Sequence, residues 1–205
     1  MSTVQLKICG LNHNIEEVAT LQPDYLGFIF YDKSPRFFEK KIPKLPEGIS
    51  KVGVFVDASA EYILEKTATH QLDVIQLHGE ETPLFCEGLR KVLINKEVWK
   101  VFSIKDNFDF SQLSYYEDIV DKFLFDTKGK DKGGNGFTFD WAVLKGYNSA
   151  KPFILSGGIG LNELPDLKKI IISGLPIHAI DVNSKFEISP GLKNKTNLKK
   201  FKNEL

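Results

Sequence analysis

Phe153-Ile154-Leu155-Ser156-Gly157-Gly158-Ile159-Gly160 and, further along, Ala179-Ile180-Asp181-Val182-Asn183-Ser184-Lys185 are built alike. Each is an apolar run that ends at a polar residue and passes into a turn of small or polar residues. Short apolar runs bounded by turn residues read as strands buried on both faces. Glycines after such a strand let the backbone approach a ligand closely. Loops after the seventh and eighth strands of a (β/α)8 barrel are that fold's usual phosphate site, where backbone N–H groups and a short helix's N-terminus meet the anion. Two tight turns with no ligand would have the same composition. The number of strands upstream separates the two cases.

Working back toward the N-terminus, strand patterns fall at Val4–Cys9, Tyr25–Phe30, Lys51–Val56, Asp73–His78, Glu97–Ser103 and Lys122–Asp126. Pro152–Ser156 and His178–Val182 complete the set at eight. Amphipathic stretches lie between them, for example Ala60–Thr69 and Leu161–Ser173, with Asp57-Ala58-Ser59 and Asn162 as N-cap candidates. Lys195–Phe201 is expected to form a last helix with a basic, solvated outer face. Strands alternating with helices imply a parallel sheet with crossover connections, either doubly wound or closed. Eight units at about 25 residues each favour α/β architecture as a closed TIM barrel. The second unit is expected to have a short or irregular helix, because Pro43 and Pro46 interrupt Arg36–Pro46. No linker or repeat breaks the chain, so residues 1–205 are expected to form a single domain.

Lys plus Arg and Asp plus Glu number 27 each, so net charge gives no attraction to nucleic acid or to a membrane surface. The start Met1-Ser2-Thr3-Val4-Gln5 lacks the pattern of a signal peptide, and no apolar run approaches a membrane span. Two cysteines, Cys9 and Cys86, are too few for a disulfide scaffold, which points to a reduced, cytoplasmic protein. Cys86 sits in an amphipathic segment and is expected to serve packing alone. Sixteen phenylalanines imply a core rich in rigid aromatic rings.

In a barrel, chemistry belongs at the C-terminal strand ends. The first strand offers Lys7 and Cys9 on one face, with Leu6 and Ile8 on the other. An ammonium beside a thiol favours the thiolate, although a buried cysteine and a snorkelling lysine would leave the same trace. Ser34-Pro35-Arg36 follows the second strand, and the planar fork of an arginine suits a carboxylate. The fourth strand ends in Gln76 and His78 on a shared face, with His78 either catalytic or structural. The sixth ends at Asp126, where partial removal from water would allow an aspartate to act as an acid, before a loop containing Gly129 and Gly133-Gly134-Asn135-Gly136. No grouping has metal-ligand spacing, so neither a metal nor a cofactor is expected.

Taken together these segments resemble the phosphoribosylanthranilate isomerase family of tryptophan biosynthesis. The ordered set runs from Lys7-Ile8-Cys9-Gly10 through Gly27-Phe28-Ile29-Phe30, Ser34-Pro35-Arg36, Gln76-Leu77-His78-Gly79-Glu80 and Phe139-Asp140-Trp141. It continues through Ser156-Gly157-Gly158-Ile159 and Asp181-Val182 to Ser189-Pro190-Gly191-Leu192-Lys193. The resemblance implies an Amadori rearrangement of N-(5-phosphoribosyl)anthranilate, with Cys9 as general base and Asp126 as general acid. It further implies Lys7, Arg36, Gln76, His78, Gly157, Gly158, Asp181, Asn183 and Ser184 as substrate-binding residues. Lys185 stands where the family has a glycine, and Asn135 where it has a threonine.

A small-molecule substrate, a monomer or homodimer, and no nucleic-acid or membrane partner complete the expectation. Two other functions fit the same strands. One is a phosphosugar isomerase or epimerase of the metal-dependent kind, against which the missing ligand cluster speaks. The other is a phosphate-ligand binder without catalysis.

Overall fold

The structure, a computed structural model, describes residues 4–105, 107–127 and 140–205. Eight parallel strands close into a barrel: β1 Gln5–Ile8, β2 Tyr25–Ile29, β3 Ser50–Phe55, β4 Val74–Leu77, β5 Glu97–Ile104, β6 Lys122–Thr127, β7 Phe153–Leu155 and β8 Ile177–Val182. Every expected strand is present, with no end displaced by more than one residue. β1 closes the ring against β8 in a register that sets Lys7 beside Asp181.

Side chains alternate across the barrel wall. Cys9, Tyr25, Val52, Val54, Val74, Trp99, Val101, Leu124, Ile154 and Ala179 form the inner core. Leu6, Ile8 and their counterparts on other strands pack outward under the crossover segments.

The crossovers are uneven. Helices α1 Ile15–Ala19, α2 Ala60–His70, α3 Pro83–Val92 and α4 Leu164–Ile171 cover four of the connections, and α5 Lys195–Glu204 follows the barrel. Between β2 and β3 there is no helix, as the prolines require. Ser59 caps α2 by accepting the Tyr62 N–H. Asn162 does not cap α4, which begins later than expected. Glu163 holds the cap position, and its carboxylate reaches back to the Gly160 N–H at 2.8 Å.

Between β5 and β6, and again before β7, the described crossover is a 3-10 turn, Phe110–Tyr115 and Trp141–Gly146. Aromatic rings cover the barrel wall there in place of a helix face. Phe125 packs against Phe153 at 5.0 Å and against Tyr147 at 5.5 Å between ring centroids, mostly edge to face. Six of the sixteen phenylalanines, Phe102, Phe108, Phe110, Phe123, Phe125 and Phe153, gather there.

At the N-terminal end one device recurs three times. Asp24, Asp73 and Asp121 immediately precede β2, β4 and β6. Their carboxylates accept the backbone N–H of Leu6, Lys51 and Val98 on the preceding strand at 2.8, 2.8 and 2.7 Å. Each aspartate's own N–H donates to the carbonyl of the same residue. Backbone groups at the open edge of a strand are thereby paired without water.

Candidate active site

A cavity of about 500 Å³ opens at the C-terminal strand ends. Ten of the eleven residues expected from sequence line it: Cys9, Arg36, Gln76, His78, Asp126, Gly157, Gly158, Asp181, Asn183 and Ser184. Six different barrel strands or the loops after them contribute. The glycine-rich loop at 129–136, with Asn135, and Phe139 lie outside the described residues.

Cys9 is almost fully buried at the head of β1. Its thiol has room only because the neighbouring position on β2 is a glycine: a Cβ on Gly27 would sit 2.8 Å from Sγ. The next residue, Gly10, turns with φ +70°, and a side chain there would strike both Asn183 and Arg36. The two glycines therefore frame the cysteine for steric reasons.

Lys7 corrects the expectation. It is wholly buried beneath the cavity rather than lining it, and its ammonium binds Asp181 Oδ2 at 2.6 Å. Burial alone would lower its pKa, but Asp181 and Cys9 outweigh that and raise it above the ordinary lysine value. The thiol of Cys9 does not end as a ready thiolate. Burial pushes its pKa up, Lys7 and Lys193 pull it down, Asp181 pushes it up again, and the net direction is upward. The desolvation cost of the anion exceeds the attraction of a lysine already paired with a carboxylate.

Asp126, at 5% exposure, projects from β6 and lies 3.3 Å through Oδ2 from His78 Nε2. Asp181 is pushed above the usual carboxylate range by burial, against the pull of Lys7 and with a further push from Asp126. Gln76 Oε1 and Asp181 Oδ1 are buried and, among the described residues, accept no hydrogen bond. Two acceptors without donors beside a cavity call for a ligand that carries N–H or O–H groups.

Arg36 is less free than its sequence position suggested. Its Nε and Nη2 atoms bind both carboxylate oxygens of Glu187 at 2.7 to 3.0 Å. Glu187 stands at the start of a short hairpin, β9 Glu187–Ser189 and β10 Leu192–Lys193. It also accepts from Lys193 Nζ, and Lys193 in turn reaches Asn183 Oδ1 at 2.7 Å. Although burial opposes it, Arg36 and Lys193 hold the Glu187 carboxyl below its ordinary value. Glu187 had no signal in the sequence, since a Glu in a charged C-terminal stretch looks like surface, and Lys193, although it ends one of the family-like segments, carried no expected role.

On the opposite wall, Gly157 and Gly158 take φ +94° and +65°, and Thr127 leaves no space for a Cβ on Gly157. Ser184–Phe186 forms a single 3-10 turn after β8, and Lys185 within it keeps an ordinary negative φ and lines the cavity. Substitution of a glycine by this lysine thus leaves the turn unstrained and adds a cation at the rim. No group of three or more metal-ligating side chains occurs among the described residues. No described helix is long and apolar enough to cross a membrane.

A closed parallel barrel with titratable groups gathered at one mouth defines a (β/α)8-barrel enzyme. The comparisons narrow the class. Residues 6–204 match the family model for N-(5′-phosphoribosyl)anthranilate isomerase. An enzyme of that name from Parabacteroides distasonis is 42% identical over 204 residues, covering 96% of this chain and 90% of the relative. The crystal structure of phosphoribosyl anthranilate isomerase from Thermotoga maritima superposes with a TM-score of 0.82 at 32% identity, covering 98% of each chain. A further structure of such an isomerase, in complex with reduced 1-(o-carboxyphenylamino)-1-deoxyribulose 5-phosphate, matches with a TM-score of 0.78 at 29% identity, over 97% of this chain and 96% of that one. The chain belongs to the phosphoribosylanthranilate isomerase family.

Proposed function

We propose that this chain isomerises N-(5-phosphoribosyl)anthranilate to 1-(2-carboxyphenylamino)-1-deoxyribulose 5-phosphate, with Asp126 as general acid and Cys9 as general base. The observation that carries the assignment is the entry of both groups into one cavity from strands well separated around the barrel, β1 and β6. Asp126 gives its proton to the furanose ring oxygen as the C1′–O bond breaks, and the anthranilate nitrogen lone pair forms the iminium. The thiolate of Cys9 then removes the proton on C2′, and that electron pair makes the C1′–C2′ double bond of the enolamine. Tautomerisation gives the aminoketone. One proton is given and one is taken, so the step needs no external oxidant or reductant.

A thiol with a raised pKa is scarce as thiolate near neutrality but strong as a base once formed, which suits abstraction from carbon. The unpaired acceptors Gln76 Oε1 and Asp181 Oδ1 are suited to the sugar hydroxyls, whose O–H groups supply the missing donors. The positive-φ turn at Gly157-Gly158, with Asn183, Ser184 and Lys185 on the neighbouring loop, suits the phosphate. Arg36, its inner edge fixed by Glu187, suits the anthranilate carboxylate. Lys7 supports Asp181 from below and does not touch substrate.

Steady-state turnover of phosphoribosylanthranilate is expected to fall by at least about a thousandfold in Cys9→Ala and in Asp126→Ala, with circular dichroism and Tm close to the parent. Near-parental turnover in either variant would remove that residue from the mechanism.

A further inference from the structure

A further buried ion pair lies outside the cavity, between the barrel wall and α3, and takes no part in the steps above. Lys100 Nζ on β5 meets Glu81 Oε2 at 3.0 Å, with both side chains almost fully buried. Such a pair contributes little to stability, because desolvating two charges offsets most of their attraction. What it does contribute is local geometry. Glu81 accepts the N–H of Gly79 through both oxygens and the N–H of Asp57 through one, each at 3.0 Å. Lys100 also donates to the Gly79 carbonyl at 2.7 Å. The N–H and the C=O of one glycine, which belong to the two successive peptide units on either side of it, are therefore gripped by opposite charges. Gly79 lies so close to Asp57 that no side chain could replace its hydrogen. The residue immediately before Gly79 is His78, the imidazole that touches Asp126.

We propose that Glu81 and Lys100 are positioning residues for the acid half of the reaction: by clamping Gly79 they fix His78, and His78 fixes the Asp126 carboxyl against the ring oxygen. The proposal rests on Asp126 being the general acid. A bare hydrophobic pair could fill the same space but could not hold a peptide N–H and a carbonyl at once.

Glu81→Gln and Lys100→Met, each made alone and in a His78→Gln background, test this. The expected result is a kcat about tenfold lower in each single variant with KM changed less than about twofold, since misplacing a catalytic group weakens the chemical step and not substrate binding. In the His78→Gln background the same substitutions should cause no further loss, because the group they position is gone. Losses that multiply in the double variants, a change confined to KM, or an unaltered kcat would each overturn the proposal. Should Lys100→Met fail to fold, Glu81→Gln still decides it, since a glutamine retains one acceptor for the backbone and removes the charge. Asp126→Asn serves as the control on the underlying assignment. Parental turnover there would overturn both statements, whereas loss in Asp126→Asn together with multiplying effects at Glu81 would overturn only the positioning role.

Discussion

The two ends of this barrel use the same residue type in opposite ways. At the N-terminal end, Asp24, Asp73 and Asp121 each accept a backbone N–H from the neighbouring strand and return one to it. At the C-terminal end, Asp126 meets an imidazole and Asp181 retains a buried oxygen with no described donor. A carboxylate whose acceptor capacity is filled by the backbone holds the sheet together. One whose capacity is not taken up by the chain, at the wall of a cavity, is available to a ligand. Lys7 joins the two regions: buried in the middle of the barrel, it is the ground on which Asp181 stands.

The contrast can be broken most directly at that joint. Lys7→Met leaves Asp181 without its partner and should destabilise the fold by about 3–5 kcal/mol in urea unfolding. Adding Asp181→Leu should restore much of the stability and none of the turnover. If Lys7→Met alone unfolds at the parental midpoint, the pair is not holding the middle of the barrel. A smaller effect is expected at the closed end. Asp121→Ala removes the acceptor for the Val98 N–H and for Arg90, and should cost about 1–3 kcal/mol while kcat/KM stays within about twofold of the parent. An equal loss of turnover would erase the distinction between the ends.

The smallest effect concerns pH. His178, which bonds the Tyr25 hydroxyl at 2.9 Å near the N-terminal end, has its pKa lowered by burial and by Lys122; His70, packed on Phe30, is lowered by burial and by Lys66. Unfolded histidines take up protons near the ordinary value of 6.5 while the folded ones stay neutral. Their contribution to stability is therefore complete above pH 6.5 and declines as pH falls from there through the folded pKa. The Tm should drop on acidification below that point, and replacing both histidines with glutamine should flatten that part of the profile.

Much of this was legible along the chain. Alternating apolar runs and turn residues placed all eight strands, because in a parallel barrel each strand is buried on both faces and bounded by punctuation. Strand alternation put Lys7 and Cys9 on one face and Leu6 and Ile8 on the other, and closure of the barrel made the first the inner face. The motif residues Cys9, Gln76, His78, Asp126, Gly157 and Asp181 all reached one cavity because each ends a strand or starts the loop after it, and the fold collects those ends. The start of α4 was misplaced because Asn162 and Glu163 compete for one cap, and only the backbone path after Gly160 favours the second. Glu187 was invisible for a different reason: its partners, Arg36 and Lys193, are separated from it by chain or by a turn whose shape the residues do not state.

The sequence by itself determined the barrel, the family and the set of strand-end residues, since these follow from periodicity and from local order in the chain. Tertiary structure alone decided how charges pair across strands. It paired Lys7 with Asp181, so that its pull on Cys9 no longer outweighs burial, tied Arg36 to Glu187, and buried Glu81 with Lys100. The physical reason is that periodicity gives the face a side chain occupies, whereas the sign and strength of its electrostatic environment depend on closing the ring, on which neighbour stands in register, and on how much water closure removes.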